Sequence, residues 1–177
     1  MMMLTLGVAL WSIAHLFKRL APTARDRMGD LGKLVVTVAL VGSLVMMVAG
    51  YQTASGPVWW VRQPLSVSIS NVLMLLAFYM MVASSLKVRI TSMVRHPQLT
   101  AIKAWSVSHL LVNGDLPSLI LFGGLLVWAV VSVILINRQD GKNAMATSDI
   151  GWLKEALAIG VTVGLYGAVA HAHAYLG

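Results

Sequence analysis

Imidazole binds metals, carries protons and can sit neutral among hydrocarbons, and this chain has five such rings: His15, His96, His109, His171 and His173. His15 and His109 fall inside apolar helical runs. A titratable ring in hydrocarbon is costly, so it faces a bundle interior and marks a ligand, ion or cofactor path. Trp11 lies one turn before His15, with Ser12 beside it; His109 shares a helix face with Gln98, Ile102, Trp105 and Asn113 at i, i+4, i+7, i+11 and i+15 spacing. A face bearing Gln, Trp, His and Asn is not turned to lipid. Neutral imidazoles from facing helices are ordinary axial ligands of a b-type haem, which makes His15 and His109 candidate metal ligands with Trp105 and Asn113 beside them. They are equally ordinary hydrogen-bonding groups in a bundle, with Ser70, Asn71, Ser106 and Ser108 available as partners. His15 is three residues, about 4.5 Å, from Lys18, and His109 six residues, about 9 Å, beyond Lys103, which predicts both rings in the same half of the bilayer at similar depth.

The chain has no cysteine, which excludes disulfides, thiolate metal sites, iron–sulfur clusters and covalent haem attachment. His171 and His173, two apart on a helix, point about 200° away from each other and do not form a metal pair. Arg95-His96-Pro97 opens a helix at a membrane surface, where Arg95 can reach lipid phosphate and His96 stays solvated. Asn113-Gly114-Asp115 marks a helix break, read either as a capped turn with Asp115 as N-cap or as a polar pocket wall next to His109. The eleven methionines read as adaptable packing rather than metal ligands.

The elements that must position these rings are membrane helices. The chain is 58% hydrophobic and 11% charged, with a mean hydropathy of +0.81, far from the balance of a soluble domain. A crossing needs about 20 apolar residues, and spans are predicted at 3–20, 31–51, 66–86, 116–137 and 153–176, with a shorter helix at 97–113 that either crosses or stops within the bilayer. The fold class is an all-α polytopic membrane bundle of about six helices, five long and one short, forming a single domain over 1–177. The net charge of +7 points to lipid and not to nucleic acid, because twelve of the thirteen Lys and Arg fall in loops assigned to one side, leaving Arg62 opposite. That asymmetry predicts the N-terminus outside. Lys18 and Arg19 follow the first apolar stretch instead of preceding it, so that stretch is expected to remain as a helix and not to be cleaved. The loop Gly56-Pro57-Val58-Trp59-Trp60 carries two interfacial indoles and is expected to be a shallow amphipathic loop; 137–149 reads as a hydrophilic connector.

Residues 95–128 contain, in order, Arg95-His96-Pro97, Lys103-Ala104-Trp105, His109-Leu110-Leu111, Asn113-Gly114-Asp115 and Leu121-Phe122-Gly123, then Trp128. This run resembles the signature of the NnrU family of bacterial membrane proteins. His15 with Ala21-Pro22 and Arg25 is similar to the family's opening segment, and His173 with Leu176 to its C-terminal histidine motif, so the resemblance covers nearly the whole chain. It implies a multi-pass protein of the bacterial inner membrane linked to nitric oxide and denitrification metabolism. Through the related zeta-carotene isomerases it also implies haem b held by His109 and His15 and, as an alternative activity, cis/trans isomerisation of a polyene. Some isomerases carry a cysteine where this chain has Ser106, so thiolate exchange at the iron is excluded. A membrane methyltransferase also places Arg-His-Pro at a helix start, but here only Lys154 and Glu155 follow to hold a methyl donor. A role as assembly factor or small subunit, with the polar stripe packed on a partner's helices, is the remaining class.

Overall fold

The computed structural model describes residues 1–141 and 151–176, with no account of the Leu176 side chain. Four of the five prolines sit in first helical turns, where the missing N–H would have had no partner: Pro22, Pro64, Pro97 and Pro117. They open α2 (Pro22–Arg27), α4 (Pro64–Leu86), α5 (Pro97–Val112) and α6 (Leu116–Ser118). The remaining elements are α1 (Met2–Leu20), α3 (Gly29–Thr53), α7 (Gly124–Asp140) and α8 (Trp152–Leu176). A π-helical turn, Leu119–Gly123, joins α6 to α7, so that 116–140 is one continuous rod. At the start of α4 the Gln63 N–H donates to Ser66 Oγ at 3.1 Å and the Ser66 hydroxyl returns a bond to the Gln63 carbonyl, a reciprocal cap.

Among the described residues, five helices are long and apolar enough to cross a membrane: Met2–Leu20, Gly29–Thr53, Pro64–Leu86, Leu116–Asp140 and Trp152–Tyr175. These agree with the sequence-predicted spans to within a few residues. Rows of Leu and Val on α3 (Leu34, Val38, Val41, Val45 and Val48) are exposed, as they should be where the surrounding solvent is lipid. The shorter α5 also runs the length of the bundle. At its start His96 Nε2 meets the Asn137 side-chain oxygen at 2.9 Å near the end of α7, and at its other end the Trp60 indole N–H donates to the Leu110 carbonyl at 2.9 Å. With α5, six helices run the length of the bundle, and the start of α1 and the end of α8 lie at the same end of it. Lys18, Arg19, Arg25, Arg27, Arg89, Arg95 and Arg138 fall at the opposite end, called the basic end below.

Two departures from the sequence reading concern small elements. The Trp59-Trp60 loop is not a free amphipathic loop: β1 (Val58–Trp60) pairs antiparallel with β2 (Gly114–Asp115), clipping the α3–α4 connection to the α5–α6 connection. Gly114 is required because any Cβ there would collide with the Trp60 carbonyl. Arg95 and His96 are not left to lipid and solvent either; the Arg95 guanidinium donates to the Gly141 carbonyl, so Arg95-His96-Pro97 ties α5 to α7.

Helix pairing follows the small residues. α1 lies against α3, where a Cβ on Gly50 would come within 2.6 Å of the Leu4 nitrogen and one on Gly7 within 2.9 Å of the Met47 nitrogen. α4 lies against α5 and α8, with Ser70 and Ser108 hydroxyls 2.7 Å apart in a fully buried contact. α7 joins the two groups by packing on α1 and α5, while α3 and α4 share no comparable contact. The main core is Leu4, Val8, Met47, Leu125, Trp128 and Ala129, with Trp11, Trp105, Tyr51 and Leu121 packed around it.

Candidate functional site

Each of the two intramembrane imidazoles is fixed by its own helix. His15 Nδ1 lies 3.1 Å from the Trp11 carbonyl and His109 Nδ1 lies 3.0 Å from the Trp105 carbonyl. A carbonyl only accepts, so Nδ1 carries the proton in both rings and Nε2 presents its lone pair. No hydrogen-bond partner meets either Nε2 among the described residues. A backbone carbonyl on Nδ1 is the arrangement that sets the tautomer and orientation of metal-binding histidines. His173 makes the same bond to Val169, at 3.1 Å, but its ring is exposed at the end of α8, and His171 stacks edge-on against Tyr175.

Aromatic rings cluster at each imidazole. His15 forms a triangle with Trp11 and Trp128, whose centroids are 4.1 and 4.8 Å from it and 5.6 Å from each other, and His109 one with Trp105 and Phe122, at 5.0 and 4.4 Å and 4.9 Å from each other, the Phe122 ring stacked on the imidazole at 27°. Phe122 and Trp128 belong to the same continuous rod, Phe122 inside its π-helical turn. Both rings are half-buried within the bundle.

The two rings are not at one height. His15 packs at the level of Trp128 and His109 at the level of Phe122, six residues or about 9 Å nearer the β1–β2 clip. The sequence estimate placed them together because Lys103 was taken to mark the membrane surface. Lys103 lies six residues inside α5, and a lysine stem is long enough to carry its ammonium outward from there.

Asn113 does not extend a pocket wall from its side chain. Its Nδ2 donates to the His109 carbonyl at 3.0 Å, closing the last turn of α5. Asp115 is the N-cap that the sequence suggested: Oδ1 accepts from the Ser118 N–H and Oδ2 from the Ser118 hydroxyl, both at 2.9 Å. Having given its proton to Asp115, Ser118 accepts from the Tyr51 hydroxyl at 2.8 Å, and the Tyr51 ring is edge-on to Phe122 at 6.2 Å. Ser70 and Ser108 bond to each other and to no imidazole.

Trp105 has two roles, as a wall of the His109 niche and as part of an apolar cavity of about 320 Å³ in the middle of the bundle. Trp11 and Trp128 line the same cavity, so the residues that flank both imidazoles also face this space. Sequence reasoning missed Trp128 and Phe122 as site residues. Trp128 stood at the end of the family-like run, but nothing in a lone sequence shows which side of a transmembrane helix meets which histidine.

The sequence pattern of the NnrU protein family matches residues 3–177. The chain belongs to the NnrU family. No curated protein and no solved structure matches it. Among the described residues there is no cluster of three or more His, Asp or Glu able to hold a metal ion. The donor chemistry suits a b-type haem, with two nitrogens each orientated from behind by a carbonyl, aromatic rings beside them and no thiolate, while the difference in height means that one iron does not meet both rings as the helices stand.

Proposed function

We propose that this NnrU protein works in a bacterial inner membrane, in nitric oxide and denitrification metabolism, through a b-type haem ligated by His15 and His109, two rings that must come to one level on binding because they stand about 9 Å apart in height. The observation that supports the reading most directly is the pair of half-buried imidazoles whose Nδ1–H groups are committed to Trp11 and Trp105 carbonyls and whose Nε2 lone pairs have no partner among the described residues. When bound, haem iron supplies a one-electron redox and ligand-binding centre. The protein's own part is positional. The two carbonyls hold the ring tautomers, Trp11, Trp128 and Phe122 fix the ring planes and exclude water, and the Asn113 bond to the His109 carbonyl steadies the end of α5.

Purification in mild detergent from haem-replete cells, followed by a pyridine haemochrome assay, tests this. A Soret band is expected in the parent chain, lost in His15→Gly and His109→Gly, restored in each by added imidazole, and kept in His173→Ala. A colourless parent protein overturns the haem reading, and a band that survives one of the two glycine variants overturns ligation by the pair.

A further inference from the structure

At the basic end, where α4 finishes against the start of α8, a second cavity of about 310 Å³ is lined by Tyr79, Arg89, Ile90, Trp152, Glu155 and Ile159. It shares no residue with the imidazole niches or with the mid-bundle cavity. Tyr79 and Ile90 also pack on the buried cluster Val82, Ala83, Val88 and Ala158, which holds this wall in place. Glu155 Oε1 accepts the backbone N–H of Arg89 at 2.7 Å, so the carboxylate is fixed by the main chain of the 3₁₀ turn Arg89–Ser92. Among the described residues the Arg89 guanidinium makes no ion pair and no hydrogen bond, and the second Glu155 oxygen and the Tyr79 hydroxyl have no partner either. A cation and an anion therefore border one cavity without neutralising each other. Both are open to an occupant, since Arg89 is exposed and the bond to Glu155 lies at the surface. Trp152, exposed beside them, marks the headgroup level of a bilayer, and Ile159, one turn or about 6 Å farther along α8 than Glu155, is exposed where the hydrocarbon begins.

We propose that this cavity holds the headgroup of an aminophospholipid, with its phosphate on the Arg89 guanidinium, its ammonium on the Glu155 carboxylate and its acyl chains along the Ile159 side of α8. Phosphate oxygens accept from guanidinium and ammonium N–H groups donate to a carboxylate, both as charge-assisted bonds. A choline headgroup has the cation but no N–H to donate. A glycerol headgroup has no cation at all, and would set its phosphate beside an uncompensated Glu155. Lys87 and Lys154 are exposed nearby but do not line the cavity, so they draw anionic lipid to this surface without selecting a headgroup. Lipid binding here and haem binding at the imidazoles are separate, because no residue serves both.

Delipidated protein in detergent, titrated with dioleoyl phospholipids and weighed by native mass spectrometry, tests this. Phosphatidylethanolamine should bind about tenfold more tightly than phosphatidylcholine or phosphatidylglycerol, the change that corresponds to one charge-assisted hydrogen bond. Along the N-methylated series affinity should drop at the choline lipid, where the last N–H is lost, a readout that needs no variant. Glu155→Gln, whose amide oxygen can still accept the Arg89 N–H, should erase the preference for ethanolamine over choline. Arg89→Gln should weaken the ethanolamine lipid about tenfold, and Arg27→Gln, at the same end but away from the cavity, should leave it unchanged. Equal binding of ethanolamine and choline lipids by the parent chain, a parent preference for phosphatidylglycerol, an ethanolamine preference that persists in Glu155→Gln, or equal weakening by Arg27→Gln and Arg89→Gln would each overturn the proposal.

Discussion

Asp115 holds more of the site than its own cap, because Ser118 is bound to it twice and passes the link to Tyr51, whose ring lies against Phe122, the face of His109. Replacing it should therefore do more than fray α6. Asp115→Ala is expected to cost about 1–2 kcal/mol, the range for a lost N-cap, measured by denaturant titration in detergent, while Tyr51→Phe should cost less than about 1 kcal/mol. If both variants prove neutral, the chain of hydroxyls is not positioning the rod. The residue scale is also where sequence reading succeeds and fails in an instructive way. His15, His109, Trp105 and Asp115 could be found because a polar group inside an apolar helical run, or just ahead of a proline-led helix, is costly enough to need a reason. Phe122 and Trp128 are apolar residues among apolar residues. Their importance arises only from which helix they meet, and Asn113, singled out for its polarity, uses that polarity on its own backbone.

At the scale of elements, the close approach of α1 and α3 rests on Gly50 and Gly7, where side chains would meet backbone and not flexible tips. Gly50→Leu should destabilise the protein by about 1–3 kcal/mol through forced separation of the two helices, whereas Gly42→Leu, on open surface, should be nearly neutral. A comparable loss in Gly42→Leu would show that the cost does not come from the close approach of α1 and α3, since Leu is a better helix former than Gly. Element boundaries were legible because a membrane span is set by length and composition alone, and prolines with capping residues punctuate its ends. The β1–β2 clip was not, since its strands are three and two residues long and pair across a separation of more than fifty positions, with no periodicity to detect. α2 was missed for the same reason: its six residues, a proline and an alanine with four polar side chains, carry no apolar face.

For the molecule as a whole, the gathering of cationic residues at one end of the bundle predicts an orientation with the basic end inside. The absence of native cysteine allows a direct check. Asp26→Cys should resist a membrane-impermeant thiol reagent in intact cells and Ser55→Cys should react; the reverse pattern would invert the topology. At that basic end Arg19 grips Asp140 with both nitrogens, at 2.7 and 3.0 Å, and Gln139 donates to the Arg19 carbonyl, so α1 and α7 close on each other below His15. The opposite wall has no such fastening: α3 and α4 stand apart beside the cavity. That open seam has a practical consequence, since whatever amphiphile replaces the bilayer can slip its own alkyl chain through it. Indole emission should therefore differ between an alkyl-chain detergent, which can fill the cavity beside Trp11, Trp105 and Trp128, and one whose bulky sterol body cannot pass the seam.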